Sequence, residues 1–167
     1  CLHRLPTSPG RPAPPGAGPR HLQFGRDGRF LYTSDEADSG ITAWRWNDAR
    51  GTLAAFQHLS TLPPQYRGSD NHPADVQVHP SGRFVYVSNR ATGTIAGFRI
   101  DAANGSLTRI ADADIGSPSS WSFLFDPSGR WAVVSAQIGD YVAIYSVDPA
   151  TGTLTPTGQR LPVVLPI

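Results

Sequence analysis

Charge is scarce in this sequence, and the two signs nearly cancel. Asp, Glu, Lys and Arg make up 16% of the 167 residues, and the formal net charge at pH 7 is +1. Proteins that bind nucleic acid or an anionic membrane surface by electrostatics need dense positive charge. We therefore expect neither nucleic acid nor a membrane among the partners.

Cysteine, methionine and long apolar runs are also absent or nearly so. The single cysteine cannot form an internal disulfide, which is typical of a reducing compartment, so we predict a cytoplasmic protein. No stretch of about eighteen apolar residues is present to form a transmembrane helix. The absence of methionine, even at position 1, suggests a fragment or a processed product.

What the chain does contain is a repeated motif, in which a Gly-Arg pair opens a short apolar and β-branched run that serine closes. Its three copies are Gly28–Ser34, Gly82–Ser88 and Gly129–Ser135. In each copy 25 residues separate the first glycine from a later leucine, namely Leu53, Leu107 or Leu154. Such a run after a tight turn is typical of a buried strand, and we expect the motif arginines to serve packing rather than function.

Each repeat predicts four short strands. They are one before the motif (Leu22–Phe24, Val76–Val78, Phe123–Phe125), the motif itself, one after it (Ile41–Trp46, Thr94–Ile100, Tyr141–Val147) and one after the leucine, clearest at Leu53–Leu59. The copies recur after 54 and then 47 residues, close to the length of a propeller blade, about 40 to 50 residues. We predict an all-β fold, a partial β-propeller of about three four-stranded antiparallel blades. The blades are expected at about residues 19–61, 74–113 and 121–160.

Three blades fall short of the four to eight that usually close a propeller. We expect either missing N-terminal blades or self-association to complete the ring, since two blade faces are otherwise exposed. Residues 1–18 are rich in proline and glycine and are predicted to be a disordered lead-in to a partial propeller at 19–167. Two prolines restrict the tail from Leu161 to an edge strand.

The candidate site lies where the repeats differ from one another. Arg20-His21 enters the first strand of the first unit alone, and the motif serines are followed by Asp35-Glu36 in one unit and Asn89-Arg90 in the next. Equivalent strand ends open on one face of a propeller, so we expect Glu36 and Arg90 to face a common mouth. A carboxylate beside arginines suits proton transfer and anion binding, and a structural ion pair is the alternative.

Other motifs give less. The loop at 63–73 is about seven residues longer than its counterpart in the next unit, which suits either binding or a tolerated insertion. The five histidines show no metal-ligand spacing, and no phosphate-binding or dinucleotide-binding glycine motif is present. We therefore predict neither a metal nor a cofactor.

Several motifs occur together in a fixed order. They are Gly18-Pro19-Arg20-His21 with Glu36 sixteen positions after Arg20, Ala74-Asp75-Val76 before Pro80–Arg90, Asp126–Arg130, and the turn Asp148–Thr155. With these motifs the chain resembles the lactonase family of seven-bladed propellers, which includes 6-phosphogluconolactonases and carboxymuconate-lactonising enzymes. The resemblance spans about residues 16–160 and corresponds to roughly the C-terminal half of a family member.

The resemblance implies metal-free hydrolysis of a small-molecule sugar lactone, 6-phosphogluconolactone to 6-phosphogluconate. Carried over by position, the expected catalytic residues are Glu36 as general base, Arg20 at the substrate anion or oxyanion and His21 orienting Glu36, and the expected substrate-binding residues are Arg90, Asp75 and Asn89.

One departure from the family pattern leaves alternatives open. Ser120-Trp121 stands where the family usually has Pro-Arg, so an anion-binding arginine is absent. This favours a less anionic substrate, or a non-catalytic propeller segment for binding or scaffolding in which Arg20, Glu36 and Arg90 form a structural network. A lactone-forming cycloisomerase of the carboxymuconate type is a further alternative within the family.

Overall fold

The computed structural model describes residues 15–68 and 71–163, and these form three four-stranded antiparallel sheets. Strand order follows the chain in each sheet. The strands are β1 (Pro19–Phe24), β2 (Phe30–Asp35), β3 (Gly40–Asn47) and β4 (Thr52–Ser60), then β5 (Pro73–Val78), β6 (Phe84–Asn89), β7 (Thr94–Ile100) and β8 (Leu107–Asp114), then β9 (Phe123–Phe125), β10 (Trp131–Ala136), β11 (Tyr141–Val147) and β12 (Leu154–Pro162). The predicted all-β partial propeller is confirmed. In the part of the chain so described, no helix is long and apolar enough to cross a membrane.

The sheets stack face to face, and the middle sheet is covered on both sides. In β6, Phe84 and Tyr86 belong to the apolar core shared with the third sheet. Val85 and Val87, between and after them, belong to the core shared with the first sheet. All four are at most 1% exposed. Each such side chain contributes about 1.5–3 kcal/mol by leaving water, so β6 contributes much of the apolar packing between the middle sheet and both of its neighbours.

The motif also joins neighbouring blades through hydrogen bonds that repeat. The Tyr32 hydroxyl donates to the Gly105 carbonyl at 3.0 Å, and Tyr86 does the same to Gly152 at 2.7 Å. In parallel, the motif arginines donate to carbonyls of the next blade, Arg29 to Ala102 and Arg83 to Pro149. The prediction that these arginines serve packing is confirmed for the two interfaces present.

At two of the predicted boundaries the described structure extends beyond the expected limit. The disordered lead-in was expected to reach residue 18, but Ala17 is buried, and the carbonyls of Ala17 and Gly18 accept hydrogen bonds from the backbone N–H groups of Ala37 and Glu36. Residues 1–14 lie outside the described part. At the other end β12 continues to Pro162 as an edge strand of the third sheet, two residues beyond the predicted limit, and residues 164–167 are outside the described part.

Large apolar side chains remain exposed on the two terminal sheets, as expected for an incomplete ring. Leu22 and Phe24 are 64% and 44% exposed on β1, and Leu124 is 55% exposed on β9. Trp131 on β10 is also exposed, above a hollow that it shares with Val133 and Ile144. These faces correspond to the ones that are covered between the middle sheet and its neighbours.

Candidate active site at the strand ends

An ion cluster of Arg20, Glu36 and Arg90 lies at the end of the sheets where β2 and β6 finish. Glu36 Oε2 is 3.3 Å from Arg20 Nε, and Glu36 Oε1 is paired with the guanidinium of Arg90. Side-chain exposures of 25%, 35% and 17% place the three groups at the protein surface rather than in the core. Two positive charges against one negative charge leave the cluster suited to an anion. Glu36 and Arg90, which were expected to face a common mouth, are in direct contact as an ion pair.

Trp121 completes this cluster from the third sheet. The guanidinium carbon of Arg90 lies 4.5 Å from the centre of the indole ring, and that of Arg20 lies 5.3 Å from it. The indole is held in turn, because its Nε1–H donates to Ser119 Oγ at 2.7 Å and Ser119 donates to Gln137. Trp121 is therefore the aromatic platform on which both arginines rest, a role that sequence reasoning missed when it counted only a lost arginine.

A row of polar side chains crosses the three sheets beside the cluster. His21, Asp75 and Ser122 occupy the same position in the three repeats. His21 Nδ1 is 3.4 Å from Asp75 Oδ1, and the Ser122 hydroxyl donates to Asp75 Oδ2 at 3.3 Å. The row therefore links the inner strands of all three blades.

The serines that close the motif strands hold this row in place. The backbone N–H groups of His21, Asp75 and Ser122 donate to the hydroxyls of Ser34, Ser88 and Ser135, at 3.2, 3.0 and 3.3 Å. The pairing of β1 with β2 and of β5 with β6 is irregular at these points. Such irregularities re-aim side chains near functional sites. The repeated serine is thus the local sequence feature that positions the row.

Asp75, predicted to bind substrate, has protein partners for its carboxylate in the structure, and its substrate-binding role stays a prediction. Its side chain is only 7% exposed, and its carboxylate accepts hydrogen bonds from Gln77, Ser122 and the backbone N–H of Phe123. Both of its oxygens thus accept hydrogen bonds from the protein, which favours a positioning role for the carboxylate. Its accessible partner is the half-exposed His21 ring.

Asn89 also lies away from the predicted substrate surface. It is fully buried, its amide donates to the Thr61 carbonyl at 2.9 Å, and its side-chain oxygen accepts from Asn71 at 2.8 Å. Thr61 lies just before the long loop at 63–73 and Asn71 lies near its end. Asn89 therefore joins these two points by hydrogen bonds and offers no exposed atom for substrate binding.

His21 has contacts other than the one expected. Its Nε2 is 3.0 Å from a terminal nitrogen of Arg20, and its Nδ1 faces Asp75. Among the described contacts the ring meets Glu36 only through Arg20. The predicted orienting role of His21 toward Glu36 would have to act through that guanidinium.

A second polar network lies on the outer face of the first sheet. Asp35 is fully buried and accepts hydrogen bonds from Thr33 and Thr42, while His58 lies between Asp35 at 3.4 Å and Asp38 at 3.2 Å. Burial raises the pKa of Asp38, the Asp35 carboxylate adds to the rise, and His58 opposes it. Ligand-type atoms of Asp35, Asp38 and His58 lie within 4.8 Å of one another, a grouping that the sequence spacing did not reveal. These groups already satisfy one another, which supports a structural role.

Comparison with known proteins agrees with this architecture. Residues 3–167 match the family model described as lactonase, 7-bladed beta-propeller. The chain belongs to this lactonase family. It is 33% identical over 93 residues to a 6-phosphogluconolactonase of Pectobacterium carotovorum, covering 56% of this chain and 28% of that protein. It is 31% identical over 114 residues to the 6-phosphogluconolactonase of Bacillus subtilis, covering 67% of this chain and 32% of that protein.

Among solved structures, the lactonase fold is shared with a periplasmic gluconolactonase of Pseudomonas aeruginosa. The TM-score is 0.86 at 30% identity, and the match covers 93% of this chain and 42% of that one. The chain therefore spans less than half the length of the relatives it matches. The three sheets correspond to three of the seven blades of the family's propeller, in agreement with the 42% of the Pseudomonas chain that is covered.

Proposed function

We propose that this lactonase-family chain contributes the site of a sugar-lactone hydrolase that converts 6-phosphogluconolactone to 6-phosphogluconate. The observation that carries the proposal is the Arg20–Glu36–Arg90 cluster on the Trp121 ring, open at the strand ends. Similarity to the 6-phosphogluconolactonases of Pectobacterium carotovorum and Bacillus subtilis supports the same substrate class.

The two arginines supply the positive charge that lactone hydrolysis requires. A planar guanidinium binds phosphate or carboxylate oxygens through paired N–H donors. When water adds to the lactone carbonyl, the carbonyl oxygen becomes an oxyanion, and a donor placed beside it stabilises the transition state more than the ground state. Arg20, which is held loosely by Glu36 at 3.3 Å, is the better placed of the two to turn toward the reacting carbonyl.

An assay of 6-phosphogluconolactone hydrolysis by pH-stat tests this function. Glu36→Gln keeps the shape of the side chain but removes the charge that sets both arginines, so we expect at least a tenfold loss of kcat/KM. Asp112→Asn is the matched control, because Asp112 pairs with Arg109 at similar exposure, on β8 away from the cluster. Wild-type and Glu36→Gln chains with the same background rate would instead favour the non-catalytic binding or scaffold segment.

Completion of the ring is part of the same proposal. The uncovered faces of the first and third sheets carry Leu22, Phe24, Leu124 and Trp131, and apolar sheet faces of this kind are covered elsewhere in the fold. We propose that further blades cover them, either from the same polypeptide or from a second copy. Sedimentation velocity of this chain separates the two, since self-association gives a concentration-dependent dimer and a stable monomer excludes it.

Two observations bear on the cellular compartment of the protein, and they point to different compartments. The single cysteine supports the cytoplasm, whereas the similar Pseudomonas structure is described as periplasmic. Fractionation of the source cells, with immunodetection of the chain, decides between the two.

A further inference from the structure

We propose that His21 and Asp75 form a general-base dyad, in which His21 Nε2 takes the proton of the attacking water and Asp75 positions the ring. The inference rests on the lactone hydrolysis proposed above and changes the expected assignment of the base from Glu36 to His21. It starts from a juxtaposition that no single repeat contains, a half-exposed histidine facing a carboxylate from the next blade.

Hydrogen bonds from the protein fix the carboxylate of Asp75. Gln77 donates to both of its oxygens at 3.2 Å, and the backbone N–H of Phe123 donates to Oδ2 at 3.2 Å. The Ser88 hydroxyl fixes its backbone at 3.0 Å. A carboxylate fixed by these hydrogen bonds is not free to move with a substrate, but it can hold an imidazole in one orientation.

The contacts of the His21 ring define its tautomer. A guanidinium can only donate, so the nitrogen 3.0 Å from Arg20 must present its lone pair. The neutral ring then carries its proton on Nδ1, 3.4 Å from Asp75 Oδ1. Nε2 therefore carries the lone pair, and 46% of the His21 side chain is exposed. An aspartate that fixes the opposite nitrogen of a catalytic histidine sets the tautomer and stabilises the imidazolium.

Glu36 is less well placed to accept the proton. Each of its oxygens faces a different guanidinium, Oε2 that of Arg20 and Oε1 that of Arg90. A proton on this carboxylate would compete with two positive charges at contact distance. Glu36 therefore sets the spacing of the two arginines, and the neighbouring histidine is left to act on water.

The chemical step balances with these groups. When a substrate anion takes the guanidinium of Arg20, His21 Nε2 loses its donor and becomes free to accept a hydrogen bond from water. The water O–H bond breaks, its proton moves to Nε2, and its oxygen bonds to the lactone carbonyl carbon while the carbonyl π electrons move to oxygen. Collapse of the oxyanion breaks the bond to the ring oxygen, which receives the proton from Nε2. The product is an open-chain hydroxy acid, which loses its carboxyl proton to solvent.

Chemical rescue tests the dyad directly. His21→Ala is expected to lower kcat/KM about 10²–10⁴-fold, the usual contribution of a general base, and added imidazole is expected to restore part of the loss after subtraction of its uncatalysed rate. Glu36→Gln is the matched comparison, because imidazole should not restore it. A His21→Ala chain as active as wild type, or Glu36→Gln rescued in its place, would overturn the dyad while the lactonase function stands.

Nitrogen-15 NMR of the histidine side chains tests the dyad without turnover. At alkaline pH we expect His21 to show the Nδ1–H tautomer, and Asp75→Asn to lose that preference with the fold intact by circular dichroism. A dominant Nε2–H tautomer in the wild type would overturn the dyad whatever the activity. A wild-type chain without lactone hydrolysis but with the Nδ1–H tautomer would overturn the proposed function and the base role, and would leave only the His21–Asp75 pairing.

Discussion

The hydroxyl of Tyr32 donates a hydrogen bond to the carbonyl of Gly105 in the next sheet, 3.0 Å away. Tyr86 and Gly152 repeat the bond one blade further on, at 2.7 Å. Each bond joins the motif strand of one blade to the turn before the fourth strand of the next. The spacing of blades is thus set by a phenol and a turn glycine that both belong to the repeat.

The buried phenols predict alkaline instability. Burial raises the pKa of Tyr32 and Tyr86 above the ordinary value of 10.0. The unfolded chain therefore ionises first, so the stabilisation is complete below about pH 10 and is lost as pH rises through the folded pKa. Tyr32→Phe should cost about 1 kcal/mol at pH 7.5 through the lost hydrogen bond, and less at pH 11. Urea unfolding at both pH values measures the difference, Tyr86→Phe should behave alike, and a penalty that grows with pH would contradict the argument.

The turn glycines predict a graded response to alanine. Gly105 has a φ of +78°, and a Cβ there would lie 2.4 Å from the Phe30 ring. Gly28 has a φ of +69° with no heavy atom within 4 Å of such a Cβ. Gly28→Ala should cost about 1–2 kcal/mol for the left-handed backbone alone, and Gly105→Ala about 1–3 kcal/mol more for the forced contact. Equal urea-unfolding midpoints for the two variants would contradict this expectation, because they would show that the blades can move apart to relieve the contact with Phe30 at no cost in stability.

Much of the fold was predictable because its signals are local. A positive-φ glycine, an apolar run and a closing serine all fall within seven residues, as in Gly82–Ser88, and three copies in register made the four-strand unit visible. The ends of the repeat were less certain. The Ala17 carbonyl accepts a hydrogen bond from the backbone N–H of Ala37, which follows β2. The proline-rich composition around residues 6–15 gave no sign of that contact.

The site was only partly predictable, because its members meet through packing between blades. Glu36 and Arg90 were expected to face a common mouth from their equivalent positions after the motif, and their side chains form an ion pair. Trp121 occupies the repeat position of Arg20, but sequence alone does not say that the two side chains stack. The buried side chain of Asn89 meets Thr61 and Asn71, which come from outside its own strand, and spacing along one strand cannot show such contacts.

The indole platform predicts a specific loss of anion binding. Trp121→Ala removes the ring beneath Arg20 and Arg90, and each exposed cation–π contact contributes about 0.5–1 kcal/mol. The two contacts together amount to about 1–2 kcal/mol, so we expect 6-phosphogluconate to bind roughly 5- to 30-fold more weakly by calorimetry. The loss in Trp121→Phe should lie between those of wild type and Trp121→Ala. Trp131→Ala, an exposed tryptophan on the uncovered face of the third sheet, is the control and should bind as wild type. Unchanged binding in Trp121→Ala would remove the indole from the site.

The motif arginines predict that one side chain has different importance in adjacent repeats. Arg83 donates to the Pro149 carbonyl of the next blade and lies 5.5 Å from the centre of the Phe84 ring. Arg130 holds the same repeat position in the third sheet, where the described contact of its guanidinium is the ring of its own neighbour Trp131. In this chain Arg83→Ala should therefore lower the free energy of unfolding by about 0.5–1.5 kcal/mol, and Arg130→Ala by less than about 0.5 kcal/mol. Guanidinium unfolding followed by tryptophan fluorescence measures both. If a further blade or a second copy covers the third sheet, Arg130 gains a carbonyl to bind, and the two penalties become equal. Equal penalties in a chain that sediments as a monomer would contradict the stabilising role of the hydrogen bond from Arg83 to the Pro149 carbonyl.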